Sequence, residues 1–133
     1  MKILVETIVA APINKVWLAY TTPEHILQWN AASDDWHTTA ATVDLRVGGH
    51  FSSRMEAKDG SFGFDFAGTY TQIIQHELIA YAFGERTAQV RFVELPEGVK
   101  LSVEFDGEQT HSVEQQQQGW QAILTNFKRH VEA

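Results

Sequence analysis

The chain contains no cysteine, and proline and methionine are rare, with three and two copies among 133 residues. Without cysteine there are no disulfides, thiolate nucleophiles or sulfur-ligated zinc sites, so only histidine and carboxylate side chains remain as metal ligands. Long apolar runs are missing too: no stretch approaches the roughly 20 residues of a membrane-spanning helix. Glu6 interrupts the apolar start at Met1–Val5, so no secretory leader is expected. The expectation is a cytoplasmic protein without membrane insertion. Positive charge is scarce: 10 Lys and Arg face 17 Asp and Glu, a net charge of −7. A polyanion is repelled by such a surface, so nucleic acid is not an expected partner. There is no internal repeat, and Gln115–Gln118 is the one low-complexity run.

What is present is a globular composition, 44% hydrophobic and 20% charged, at the length of one domain covering residues 1–133. Lys2–Ala10, rich in Ile, Leu, Val and Thr, reads as a strand. Pro12 can open a helix, and Ile13, Val16, Trp17 and Tyr20 follow at the spacing of one helical face. Thr22-Pro23-Glu24 predicts a second short helix, with threonine at N-cap and an acid against the dipole. From about Thr42 the pattern turns to strands divided by tight turns: a hairpin at Gly48-Gly49, then turns at Asp59-Gly60, Gly84-Glu85-Arg86 and Pro96-Glu97-Gly98. Alternation places Phe62, Phe64 and Phe66 on one face, and Val99, Leu101, Val103 and Phe105 on one face of the last strand. Short links imply an antiparallel meander with one wet face. Ser112 and Gln115 fit a capping box, and Trp120, Ile123, Leu124, Phe127 and Val131 form a single apolar stripe on the helix it starts. Gly119 interrupts that helix at a cost of about 1 kcal/mol. Close packing on the sheet is the expected reason, and room for a ligand beside Trp120 the alternative.

This order predicts an α+β fold: a curved antiparallel sheet of six to seven strands, two short helices, and a long C-terminal helix laid on the concave face. A twisted sheet meets a straight helix unevenly, which leaves space for a pocket.

Ala11-Pro12 with Val16-Trp17, Thr22-Pro23-Glu24 with Trp29, Arg46-Val47-Gly48-Gly49-His50-Phe51, Gly68-Thr69-Tyr70, and Gly119-Trp120 with Leu124 and Phe127 are in order along the chain. Together they resemble the AHSA-type family, named after the activator of the 90-kDa heat-shock protein's ATPase, within the START-like, Bet v 1-like (SRPBCC) superfamily. The resemblance implies the helix-grip fold with a hydrophobic cavity between sheet and C-terminal helix. The superfamily spans lipid carriers, hormone receptors and aromatase/cyclases, so it does not fix an activity. The eukaryotic activators carry a separate N-terminal domain for chaperone contact to which no segment here corresponds, and a chaperone partner is therefore not expected.

Ligand pockets are lined mainly by aromatic and aliphatic side chains. Trp29, Trp36, Phe64, Phe66, Tyr81, Phe83, Trp120 and Leu124 are the expected lining, with the two tryptophans Trp29 and Trp36 near the mouth. The expected partner is a small apolar, lipid-like or aromatic molecule. No metal or cofactor is expected: Asp34, Asp35 and His37 cluster after the second helix but match no ligand spacing, and His25, His50, His76, His111 and His130 read as scattered surface residues. No serine lies on a nucleophile-elbow pattern. Cyclase or dehydratase chemistry needs only an acid/base pair in the cavity, and Arg54, Asp65, Glu104 and Gln116 are the polar residues to test for it. A binding module, an enzyme of that type and a stress-related interaction domain are the alternatives.

Overall fold

A computed structural model describes residues 1–133. The order is β1 (Lys2–Val9), α1 (Ile13–Thr21), α2 (Pro23–Trp29), β2 (Trp36–Val43), β3 (His50–Ala57), β4 (Gly63–Ile74), β5 (Leu78–Phe83), β6 (Arg86–Leu95), β7 (Gly98–Asp106) and α3 (Val113–Glu132). All seven strands form one antiparallel sheet in the order β1-β7-β6-β5-β4-β3-β2. The α+β helix-grip architecture read from the sequence is present. β1 and β2 lie at opposite edges, so α1 and α2 carry the chain across one end of the sheet.

Alternation builds the core. Ile3, Val5 and Val9 of β1, Val99, Leu101, Val103 and Phe105 of β7, and Ala88, Val90 and Phe92 of β6 are all buried on the concave face. Leu124, Phe127 and Val131 of α3 complete it. Ser112 and Gln115 form the capping box by reciprocal bonds. Pro12 is the N-cap of α1 rather than its first turn, and Thr22 occupies the α2 N-cap without a side-chain bond.

The first strand has an edge that no other strand covers, and α3 covers it instead. Gln117 Nε2 donates to Leu4 O (3.1 Å), Gln121 Nε2 to Glu6 O (3.0 Å) and Lys128 Nζ to Ile8 O (2.7 Å), while Glu132 accepts from Ala10 N (2.8 Å). Fifteen residues of helix rise about 22 Å and six residues of strand about 20 Å, so helical side chains can match alternate strand groups. The edge is thus closed to further strand pairing.

Two expectations need correction. The strand paired with β3 begins at Trp36, not at Thr42, and ends at Val43. It is an edge strand with a bulge between Thr38 and Ala40, and its run of Trp, His, Thr and Ala hides the alternation. Gly48-Gly49 therefore closes a longer loop, Asp44–Gly49, instead of a tight hairpin. That loop is clamped to β4, because Gly48 N donates to Tyr70 O (2.8 Å) and Tyr70 N to Gly49 O (2.9 Å). A β-carbon at Gly49 would sit 2.1 Å from Asp44 O, so only glycine fits there.

The second correction is Gly119. A β-carbon there would meet no atom within 4 Å, so close packing does not explain this residue. Gly119→Ala is accordingly expected to stabilise the protein by about 1 kcal/mol, the helix-propensity difference. Urea unfolding would register this as a higher midpoint at unchanged slope; a lower midpoint would show an unseen steric demand.

Candidate functional site: a pocket under the C-terminal helix

Helix α3 runs along β1, on one side of the concave face. The part of that face built by β3, β4 and β5 is left without a helix directly over it, and α2 closes only one end. A pocket of about 320 Å³ remains. Of its 20 lining residues 15 are hydrophobic, which makes it an apolar chamber with a few polar points.

The floor comes from strand parity: Phe51, Ser53 and Met55 of β3, Phe64, Phe66 and Tyr70 of β4, and Ile79 and Tyr81 of β5 point inward. Tyr20, Ile26 and Trp29 close the α1–α2 end, and Trp120, Ile123 and Leu124 supply the α3 wall. Trp29 is fixed by its Nε1 donating to Ala19 O (2.9 Å), by stacking on Tyr20 at 5.2 Å, and by an edge contact with Phe127 at 5.0 Å. Trp120 lies flat on Phe105, with centroids 3.8 Å apart and 8° between the planes. These walls are rigid because each ring is held from behind by another ring.

Of the residues expected from sequence, Trp29, Phe64, Phe66, Tyr81, Trp120 and Leu124 line the chamber. Two do not. Trp36 opens β2 and packs outside it against Phe62 (6.1 Å) and Phe64 (5.9 Å), beside a shallow polar groove. Phe83 does point inward, but Phe66 (5.4 Å), Trp120 (6.0 Å) and the Arg86 guanidinium (4.6 Å) cover its ring. It forms a layer behind the wall.

The polar residues singled out for catalysis are elsewhere. Arg54 pairs with Glu56 (2.9 Å) and Asp65 (3.6 Å) on the outer face, and Glu104 is exposed. Gln116 ties down the loop before α3, accepting from Glu108 N (2.8 Å) and donating to His111 O (2.9 Å). Asp34 and Asp35 sit in the turn before β2, His37 follows in the strand, and no three His, Asp or Glu side chains converge anywhere in the chain. The histidines are less scattered than they read, since His25 Nδ1 and His130 Nε2 meet at 2.8 Å where α2 touches α3.

Of the polar points inside the pocket, Tyr81 is expected from the sequence, and Tyr20, Tyr70, Ser53 and Arg86 are not. Tyr20, Tyr70 and Tyr81 bring three phenols to it from α1, β4 and β5. Burial raises all three phenol pKa values, that of Tyr70 to about 12, with each ring's neighbouring phenols adding to the effect for Tyr20 and Tyr81. At neutral pH they are therefore protonated and act as hydrogen-bond donors, not bases. No enclosed side-chain polar atom is left unpaired, so the hydroxyls free of protein partners reach the open space. Ser53, only 6% exposed, adds a fourth hydroxyl, and Arg86 adds the one charged side chain in the lining. Periodicity could have found Arg86. It stands in register with Ala88, Val90 and Phe92, and assigning it to the turn removed it from that face.

The family described as "Activator of Hsp90 ATPase homolog 1-like protein" matches residues 10–132 of the chain. An AHSA1-like protein from Aeromonas hydrophila, solved in solution, is 47% identical, and the match covers 99% of this chain and 92% of that one at a TM-score of 0.93. A protein from Cytophaga hutchinsonii is 45% identical over 98% of this chain and 92% of its own, at a TM-score of 0.86. At 23% identity, a protein from Chromobacterium violaceum still shares the fold, at a TM-score of 0.87 and with 99% and 97% of the two chains covered. Among curated proteins none matches.

Proposed function

The chain belongs to the family of activator of Hsp90 ATPase homolog 1-like proteins, and from that premise we propose that it binds a small, largely apolar molecule in the pocket between the β3–β5 floor and α3. The observation that carries this is the chamber itself. Its volume of about 320 Å³ falls at the lower end of the range of about 300–1,000 Å³ usual for ligand sites. Its walls are aromatic, and its phenols can orient one or two polar atoms of a guest.

The lining favours binding over acid–base catalysis. General-base work at neutral pH needs a group that can accept a proton there, most often His, Asp or Glu. None of these lines the pocket, and the phenols are held in their protonated form. A cyclase or dehydratase using this chamber would have donors but no base.

Titration with the neutral fluorophore N-phenyl-1-naphthylamine tests the proposal. Trp29 and Trp120 lie in the wall, so a bound guest should quench or shift tryptophan emission and raise probe emission together. Saturation at one probe per chain is expected, with micromolar affinity, or about 8 kcal/mol. No saturable signal, and no change in melting temperature at high probe concentration, would rule the chamber out as a binding site.

A further inference from the structure

We infer that the pocket's ligand is an aromatic or fused-ring acid, with its apolar body in the chamber and its carboxylate on Arg86. This rests on the proposed apolar site and adds the charge of its guest.

Arg86 is the first residue of β6, paired with Phe83 across the two-residue turn at Gly84-Glu85. Strand parity aims it at the same concave face as Ala88, Val90 and Phe92, which are 2%, 0% and 4% exposed. Glu94, at the far end of the same parity, is exposed, whereas Arg86 lies in the pocket wall, and a charge there calls for a reason. Leaving a cation on an apolar wall costs solvation energy unless a partner restores it.

The protein does not supply that partner. The guanidinium lies over the Phe83 ring at 4.6 Å, and one Nη donates to the main-chain oxygen of Asp106 at 3.3 Å. The adjacent Asp106 carboxylate is already used by Lys2 Nζ (2.7 Å) and by Thr87 N and Oγ1. Arg46 pairs with Asp44, and Arg54 with Glu56 and Asp65, while Arg91, on the outer face of β6, donates to the Gln89 amide oxygen. Arg86 alone combines a place in the pocket wall with no carboxylate against it, in a chain of net charge −7 where acids are plentiful.

The geometry suits a carboxylate. The guanidinium is held over the Phe83 ring and by its bond to Asp106 O, and a planar fork binds a carboxylate through two parallel hydrogen bonds. Tyr81 packs against the same Phe83 ring at 5.6 Å, so its phenol belongs to the same wall of the pocket as Arg86. Phe66 and Trp120, edge-on to each other at 6.0 Å, both line the chamber and offer aromatic surface to a flat aromatic body beside the anion.

The test uses N-phenyl-1-naphthylamine as reporter and displaces it with 2-naphthoate or with methyl 2-naphthoate, which share a ring system and differ in charge. Wild-type protein is expected to bind the acid about tenfold more tightly than the ester, a difference of about 1.4 kcal/mol. Arg86→Gln should erase that preference, read as the ratio of acid to ester affinity within the variant itself. Arg86→Lys, which keeps the charge but not the fork, should keep part of it. Near-UV circular dichroism on each variant checks that the aromatic wall is intact. Reporter binding with equal displacement by acid and ester would overturn the charge assignment and leave the apolar site standing. Failure of the reporter to bind wild-type protein would remove the apolar site itself. A preference that survives in Arg86→Gln would assign it to another group.

Discussion

Replacement of Phe127 by alanine is expected to lower the unfolding free energy by about 3–5 kcal/mol, a large share of the 5–15 kcal/mol typical of a domain. Phe127 is fully buried, and its ring meets Trp29 at 5.0 Å and Tyr20 at 5.3 Å, both edge-on. It is the point where α1, α2 and α3 share one cluster, so truncation leaves a cavity that no single element can collapse into. The loss adds the transfer term of the ring to that cavity term. Urea unfolding followed by far-UV circular dichroism would measure it. A loss below about 1 kcal/mol would mean that α3 rides on the sheet without organising the helical end. Ending the chain before Ser112 is the extreme form of the same change. It would remove Leu124, Phe127 and Val131 and uncover the β1 edge, and should leave no cooperative transition.

Ser53→Ile is expected to change binding and stability in opposite directions. Ser53 points into the pocket from β3, between Ala41 on β2 and Phe66 on β4. Small Ala41 leaves room for a longer side chain, and a β-branched residue suits a strand. The isoleucine would replace a buried hydroxyl with apolar surface, a gain on the order of 1–2 kcal/mol, or a few degrees in melting temperature. The same atoms would occupy space that a guest needs, so N-phenyl-1-naphthylamine should bind at least tenfold more weakly. Calorimetry and probe titration on one preparation would show both effects. Stronger melting with unchanged binding would place the guest elsewhere, and weaker melting would show that the pocket has no spare volume at this position.

Much of the fold was legible because it rests on local patterns. The α3 stripe and its capping box repeat at helical spacing within twenty residues, and the β7 alternation is unbroken. Where local signals faltered, so did the expectation. The second strand carries no large apolar alternation and contains a bulge, so Trp36–Ala41 read as a loop. Six of the eight expected lining residues do face the chamber, since parity and stripe position say which face a side chain takes. Parity cannot say how deep it lies. That is why Phe83, on the right face, proved to be covered by Phe66, Trp120 and Arg86.

By itself, then, the sequence determined the element order, the concave face and the helix that must cover it, because burying apolar surface at periods of 2 and 3.6 leaves few arrangements. Three things were decided only in the tertiary structure. One is the lateral placement of α3: Gln117, Gln121, Lys128 and Glu132 bond the β1 edge and hold the helix to one side, which is what opens the pocket on the other. Another is the gathering of Tyr20, Tyr70 and Tyr81, which lie up to 61 residues apart and line one pocket only when α1 closes the end of the curled sheet. The last is the isolation of Arg86 from every carboxylate, since ion pairing depends on distances across the folded sheet and not on spacing along the chain.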